Sequence, residues 1–286
     1  MTLTRLPDPV AAALVTPEPG ERRTIEAGGL PWSALFWGPA DARPVLLVHG
    51  VTASAAVWWR VGPALAATGR RVIAVDQAGH GRTGHWQGHH RFRDNAADIA
   101  TFIRAAGLDQ AELQVIGHSW GAVTAAALPV AGFRPATLVL LDPPVLPFER
   151  IALEASDPGQ QPVATLEDAI RAIESTEPAW SEGDVRAKAE AVMELDFEAA
   201  RAVLLDNGDW DGGLADLRDP AASGVDVWLV RGDPATGGYV DDDAAAAFAE
   251  VIGADHVLSI AGGPHSPQRT HPEETVACFL QALGPA

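Results

Sequence analysis

The chain has 286 residues, of which 47% are apolar, so it can bury a large core and is not a disordered protein. A formal net charge of −18 at pH 7 excludes nucleic acid as a partner, and it disfavours anionic membrane surfaces and, weakly, anionic substrates. The single cysteine, Cys278, excludes an intramolecular disulfide framework and a thiolate zinc site.

The N-terminal segment, residues 1–23, contains one six-residue apolar run between prolines. Such a run is too short for a secretory signal and far too short to span a membrane. We therefore expect a soluble, cytoplasmic protein without a membrane partner. No feature of the sequence predicts an oligomeric state.

Next along the chain, two strands are predicted around the turn at Gly28 and Gly29. Further apolar segments of strand length each end in a polar or glycine-rich loop. These segments are PVLLVHG (44–50), RVIAVDQAG (71–79), LQVIGHS (113–119), ATLVLLDPP (136–144), VDVWLVRGD (225–233) and HVLSIAGG (256–263). Continuous Val, Ile and Leu without alternation is typical of parallel strands that are covered on both faces.

Helical patterns separate these strands at residues 56–67, 94–106, 241–253 and 270–284. In the last of them, Thr270 and Glu273 have the spacing of a capping box. Because strands and helices alternate, we predict an α/β fold with a mostly parallel, doubly wound sheet.

One long interval interrupts this alternation. About eighty residues between Asp142 and Val225 contain no strand-like segment, and two charged helical stretches lie within them, at 165–176 and 182–206. We therefore predict a core formed by residues 1–144 and 221–286. The intervening residues, 145–220, are predicted to form a helical cap over the sheet.

The segment LQVIGHSWGAVTAAA (113–127) places Ser119 where an apolar strand turns into a helix. Gly117 and Gly121 permit a sharp bend and a close approach of strand and helix. Such a bend exposes the serine hydroxyl at the carboxyl edge of the sheet, where the N–H groups of the following helix face it. We predict that Ser119 is a nucleophile, rather than a turn serine or a helix cap.

A serine hydroxyl needs a base to become nucleophilic at neutral pH. His265 follows the last predicted strand on the loop AGGPHSPQRTHPEE, so it should lie at the edge where Ser119 emerges. His271 stands at the start of the final helix, whereas His49 and His118 are expected to form local hydrogen bonds in turns. We predict that His265 is the base.

The base in turn requires a carboxylate that holds its tautomer. Asp233 and Asp142 both end predicted strands at the correct edge of the sheet. Asp233, which precedes His265 by one helix and one strand, is the preferred acid. Asp142, at the end of the strand next to the nucleophile strand, is the alternative.

An acyl-transfer site also needs donors for the oxyanion. The Trp120 N–H follows the elbow directly. The strand PVLLVHG ends in a turn from which the Val51 N–H can face the same point. We predict that these two backbone N–H groups form the oxyanion hole.

These motifs together resemble those of the α/β-hydrolase family. They are HGV (49–51), DQAGHGRT (76–83), GHSWG (117–121), RGDPATGG (231–238) and the loop histidine before the last helix. The order nucleophile, acid, histidine is also that of the family. The resemblance extends from about residue 20 to the end of the chain, and it implies an α/β-hydrolase fold in which 145–220 is the cap that shapes the substrate pocket.

Two residues depart from the family pattern. Ala78 stands where an arginine is often found in the DQ-x-GHG loop, so no arginine contact is expected there. Pro129 follows the elbow closely, so the helix after Ser119 is predicted to be short or kinked.

We predict a serine hydrolase that cleaves a carboxylic ester or lactone of a small hydrophobic substrate through an acyl-enzyme, without a cofactor. The same residues would also suit a C–C bond hydrolase or a cofactor-free perhydrolase or haloperoxidase-like enzyme. A non-catalytic small-molecule receptor on this fold is the alternative of another class. A serine at position 119 excludes the branches that use an aspartate nucleophile, the haloalkane dehalogenases and epoxide hydrolases.

Aromatic residues near the predicted site and in the cap predict an apolar pocket for neutral substrates. Besides Trp120, these residues are Trp58, Trp59, Trp180, Phe197 and Trp210. The histidines of HWQGHH (85–90) do not predict a metal site, because no acidic or thiol partner stands nearby at ligand spacing.

Overall fold

A computed structural model describes residues 5–84, 88–109, 112–156 and 162–286 of the chain. Its strands are β1 (Glu21–Ala27), β2 (Leu30–Trp37), β3 (Pro44–Val48), β4 (Arg71–Val75), β5 (Gln114–His118), β6 (Thr137–Leu141), β7 (Val145–Leu146), β8 (Trp210–Asp211), β9 (Asp226–Arg231) and β10 (Val257–Ser259). All of these except β7 and β8 form one sheet in the order β1-β2-β4-β3-β5-β6-β9-β10. Strands β1 and β2 run antiparallel to their neighbours, and the remaining strands are parallel.

The predicted sheet is confirmed, because each apolar segment of the sequence contributes a strand. Every residue of β3, β5 and β6 is buried, as expected for parallel strands covered on both faces. Successive side chains point to opposite faces, so Leu46 and Val48 pack in one core cluster while Val45 and Leu47 pack in another.

Helices cover both faces of the sheet. They are α1 (Asp8–Val15), α2 (Val61–Ala66), α3 (Phe92–Ala105), α4 (Trp120–Ala126), α5 (Phe148–Glu154), α6 (Leu166–Thr176), α7 (Glu182–Met193), α8 (Phe197–Leu205), α9 (Leu214–Leu217), α10 (Asp242–Ile252), α11 (Pro267–Thr270) and α12 (Pro272–Leu283). Helices α3, α4, α9 and α10 pack on one face, and α1, α2 and α12 pack on the other. The doubly wound architecture is therefore confirmed.

Several helix boundaries differ from the sequence prediction. The stretch 182–206 is two helices, because Asp196 interrupts it and caps α8 by accepting from the N–H groups of Glu198 and Ala199. The predicted capping box of α12 is wrong, since the Thr270 hydroxyl bonds to the ring of His271 instead of to a helical N–H. As Pro129 predicted, α4 is short and ends at Ala126.

The segment predicted as a cap, residues 145–220, lies between β6 and β9 in the chain. It contains α5 to α9 and the two-stranded β7–β8 pair. Helices α5 and α8 contribute to an apolar cluster that packs directly on Val51 and Trp120 of the sheet edge. Helix α9 instead packs in the core cluster through Leu214 and Leu217. The division at 145 and 220 stays a prediction.

Candidate active site

The turn from β5 into α4 places Ser119 in a strained backbone conformation. Its φ of 56° and ψ of −126° are unfavourable for a residue with a side chain. A Cβ on Gly117 would lie 2.2 Å from the carbonyl oxygen of Gly121, and one on Gly121 would lie 2.4 Å from the carbonyl oxygen of Val48. The two glycines are therefore required for the tight packing that holds Ser119 in this torsion.

A chain of hydrogen bonds connects three side chains that are far apart in sequence. The Oγ of Ser119 lies 3.0 Å from Nε2 of His265, and Nδ1 of His265 lies 2.7 Å from Oδ2 of Asp142. Because a carboxylate only accepts, Nδ1 carries the proton, and Nε2 of the neutral ring is free to accept from the serine hydroxyl. The structure thus brings the predicted nucleophile and base into direct contact.

The preferred acid of the sequence prediction was Asp233, and the structure corrects this choice. The carboxylate that contacts His265 belongs to Asp142, which is fully buried at the end of β6. Its oxygens also accept from the N–H groups of Gly232 and Tyr239, both in the loop after β9. That loop therefore supports the carboxylate of Asp142 rather than supplying one of its own.

The hydrogen bonds of the Asp233 carboxylate are to neighbouring backbone groups. Its carboxylate accepts from the N–H groups of Ala235 and Gly262, which are also the groups that hold the pKa of Asp233 below its usual value. It lines a separate surface pocket together with Arg231 and Asp242. Its side chain caps the short 3₁₀ helix Pro234–Thr236.

His118, which was expected to bond locally, contacts the loop of His265. Its Nε2–H donates to the carbonyl oxygen of His265 at 2.8 Å, and the two rings lie 4.9 Å apart. Burial, and next the nearby His265, lower the pKa of His118 well below its usual value, so this ring is neutral. In the sequence, the contact of His118 with the loop of His265 is indicated by the position of His118 directly before Ser119.

The predicted oxyanion loop is fixed by buried histidines. Nε2 of His49 accepts from the N–H of Gln77, so its Nδ1–H donates to the carbonyl oxygen of Gly50 at 2.8 Å. The ring of His80 bonds to the carbonyl oxygen of Val51. Burial lowers the pKa of both imidazoles, that of His49 to well below its usual value, and both rings act as positioning groups for the loop.

A cavity of about 160 Å³ opens beside Ser119 and His265. Of the predicted aromatic lining residues, Trp180 and Trp210 line it. Trp58 is buried in the core instead. The Nε1–H of Trp59 donates to the carboxylate of Asp184 on α7. Phe197 lines a neighbouring cavity with Leu195 and Arg201. The pocket prediction is therefore wrong for Trp58, Trp59 and Phe197, and the fully buried Trp120 does not line the cavity either.

The lining is also more polar than the sequence predicted. Lys188 of α7 and Arg269 of α11 both line the cavity, as does Glu154, which accepts a hydrogen bond from Oη of Tyr239 at 2.6 Å. Burial lowers the pKa of Lys188 to about 7 and that of Arg269 to about 9. Burial and the bond to Glu154 raise the pKa of Tyr239. The expectation of an apolar pocket is not met.

Within the described parts of the chain, no three His, Cys, Asp or Glu side chains are grouped as metal ligands. Residues 85–87 of the HWQGHH motif lie outside the described residues. No described helix is both long and apolar enough to cross a bilayer.

Comparison with known proteins gives the family. A family model for the alpha/beta hydrolase fold matches residues 43–230. Lipase LipV of Mycobacterium tuberculosis is 29% identical in an alignment of 265 positions, which covers 87% of this chain and 96% of the lipase. A non-heme chloroperoxidase of Streptomyces lividans is 38% identical in an alignment of 115 positions, which covers 38% of this chain and 41% of that protein.

Solved structures give the same fold. A thioesterase domain from the curacin biosynthetic pathway superposes with a TM-score of 0.73 at 22% identity, covering 92% of this chain and 99% of the domain. At that identity the likeness concerns the fold alone. With more than half of its residues matched by the family model, the chain belongs to the α/β-hydrolase fold family.

Proposed function

We propose that this protein is a serine hydrolase that cleaves a carboxylic ester or lactone through an acyl-enzyme. The observation that carries the proposal is the hydrogen-bonded chain from Ser119 through His265 to the buried Asp142. A hydroxyl at 3.0 Å from an imidazole nitrogen whose tautomer is held by a carboxylate is the arrangement that activates serine. The lipase relative, 96% of which is covered by the alignment, supports ester chemistry.

In the first half of the reaction, Oγ of Ser119 attacks the substrate carbonyl carbon and passes its proton to Nε2 of His265. Asp142 stabilises the imidazolium that forms, since its carboxylate stays bound to Nδ1. The tetrahedral intermediate then expels the alcohol, which takes the proton from Nε2. In the second half, water attacks the acyl-enzyme with His265 again as base, and the acid product and free Ser119 are released.

The N–H groups of Val51 and Trp120 are our proposed donors to the oxyanion. Trp120 is the first residue of α4, and the first N–H groups of a helix have no intrahelical acceptor. The Gly50 carbonyl is held by His49, and in a trans peptide the Val51 N–H points the opposite way. A Cβ on Gly50 would lie 3.1 Å from Cβ of Ser119, so this peptide is close to the nucleophile.

The proposal is tested by labelling and by turnover of an aryl ester such as p-nitrophenyl butyrate. Wild-type protein should react with one equivalent of a fluorophosphonate at Ser119. Ser119→Ala should lose the label and at least about 10³-fold in kcat. The exposed Ser156 offers a control, because Ser156→Ala should keep both. Absence of any adduct on wild-type protein would instead indicate a non-catalytic receptor.

A further inference from the structure

The cavity beside Ser119 contains two basic side chains that come from different parts of the chain. Lys188 comes from α7, in the segment between β6 and β9, and Arg269 comes from α11, four residues after His265. Within the described residues, neither forms an ion pair with a carboxylate at 4.0 Å or less.

The partners of Lys188 are neutral oxygens. Its Nζ donates to the carbonyl oxygen of Thr52 at 2.5 Å and to the hydroxyl of the same residue. An ammonium has three N–H donors, so one remains for a ligand. Thr52 directly follows Val51 and also lines the cavity, so Lys188 is held beside the proposed oxyanion loop.

Arg269 is more deeply enclosed. The residue is only 6% exposed, and its Nε and Nη1 are buried without a hydrogen-bond partner in the described part of the chain. One face of the guanidinium packs against the ring of Trp180 at 3.9 Å. The stacking leaves the N–H groups in the plane of the guanidinium unused, and a buried donor without an acceptor is unfavourable.

Two carboxylates must be considered as internal partners. Glu154 lines the same cavity, but it accepts from Tyr239 and forms no ion pair with either cation. Glu177 is exposed, and its charge acts favourably on both Lys188 and Arg269, although it lies beyond ion-pair distance of each. Neither carboxylate therefore supplies the missing acceptor.

A desolvated charge without a counter-charge is costly, whereas a bound anion removes that cost. We propose that Lys188 and Arg269 form a carboxylate-binding subsite, so that the substrate is a short ester or lactone that itself carries a carboxylate. This inference rests on the proposed function for the hydrolytic step, but the subsite can be tested without it. A cavity of about 160 Å³ limits the ligand to a short chain.

The subsite is tested by comparing glutarate with the neutral glutaramide, which has nearly the same size. Glutarate should bind Ser119→Ala protein in calorimetry at least about ten times more tightly than glutaramide. On that background, Lys188→Met and Arg269→Met should each weaken glutarate binding at least about tenfold, which is about 1.4 kcal/mol. Arg269→Lys, which keeps the charge, should restore most of the affinity.

Arg186→Met is the matched control, because Arg186 lies on the same helix as Lys188 but is exposed and pairs with Glu190. Its glutarate affinity should equal that of the parent protein. Equal binding of glutarate and glutaramide would overturn the subsite, as would unchanged affinity in folded Lys188→Met and Arg269→Met proteins.

The substrate class is tested with wild-type protein. Monoethyl glutarate carries the carboxylate in the acyl part, O-pentanoyl glycolate carries it in the alcohol part, and ethyl pentanoate carries none. One of the two anionic esters should exceed the neutral ester in kcat/KM at least about tenfold. If the neutral ester is the best of the three, the proposed class is wrong even though serine hydrolysis stands. Glutarate binding without hydrolysis of any of the three esters would support the subsite and contradict the proposed function.

Discussion

Two loops of this protein each contain an aspartate followed by a proline, and the two aspartates make different contacts. After β6 the chain reads Asp142-Pro143, and after β9 it reads Gly232-Asp233-Pro234, so the same dipeptide follows both parallel strands with a shift of one residue. Asp142 is fully buried and contacts His265, whereas Asp233 is partly exposed and contacts only backbone N–H groups of nearby loops.

The backbone torsion accounts for the difference. Asp142 has a φ of 44°, which turns its side chain into the site between β5 and β9. Asp233 has an ordinary φ of −90°, and its side chain folds back to cap the 3₁₀ helix that follows. Two identical dipeptides at the same sheet edge thus differ in backbone torsion and in their distance from the strand end, neither of which the sequence displays.

Removing the negative charge at Asp142 should have the largest effect. In Asp142→Asn, the amide can present its N–H₂ to Nδ1 and favour the tautomer whose Nε2 carries a proton and cannot accept from Ser119. We expect kcat/KM for an aryl ester to fall by about 10⁴-fold. Steady-state kinetics should be accompanied by circular dichroism, to show that the variant is folded. A loss of less than about tenfold would contradict the role of Asp142 as the acid.

An intermediate effect is expected where the loop after β9 supports Asp142. A Cβ at Gly232 would lie 2.8 Å from the carbonyl oxygen of Gly263 and 2.9 Å from that of Pro264. Gly232→Ala should therefore push this loop away from the loop of His265 and weaken the bond from the Gly232 N–H to Asp142. We expect kcat to fall about tenfold with little change in KM. An unaltered kcat would show that this support is dispensable.

The smallest effect is expected at Asp233. Asp233→Asn should change kcat/KM less than about twofold, because the carboxylate does not contact His265. If Asp233→Asn loses more activity than Asp142→Asn, Asp233 is the acid after all. The variant should instead alter stability in a pH-dependent way. Bonds from the Gly262 and Ala235 N–H groups lower the pKa of Asp233 in the folded protein.

The sign of that pH dependence follows from linkage. A carboxyl whose pKa is lower in the folded state stabilises the protein above its unfolded pKa of about 3.9, and this contribution is lost as pH falls through the folded pKa. The Tm of wild type should exceed that of Asp233→Asn near neutral pH, and the difference should vanish in acid. A difference that persists below pH ~2 would mean that the charge is not its cause.

The sheet could be predicted because its signal is local. Each parallel strand is a short apolar run, and burial on both faces imposes that pattern on the residues themselves. The elbow at Ser119 could be predicted for a similar reason, since Gly117 and Gly121 are needed wherever strand and helix approach so closely. The role of His265 could be predicted because this residue lies in the loop after the last strand of the sheet.

What could not be predicted depends on orientation and on contacts over long sequence distances. Trp58 and Trp59 are adjacent in sequence, yet one is a core residue and the other bonds to Asp184 across 125 residues. Arg269 stands in the segment that the sequence singles out for His265, but its guanidinium packs against Trp180 from a distant segment. Helix α1 is not predicted from the sequence, because its apolar residues form one short continuous run without a helical period.

Among the described residues, Ser119 and Asp142 are the non-glycine positions with a positive φ. Such torsions cost about 1–3 kcal/mol each and persist only where the surrounding structure imposes them. The torsions of Ser119 and Asp142 therefore lower the free energy of unfolding relative to a chain without this strain. A glycine at position 119 adopts this torsion freely, so Ser119→Gly should be inactive and yet unfold at a higher temperature than the wild type. Activity and thermal stability would then compete at a single residue.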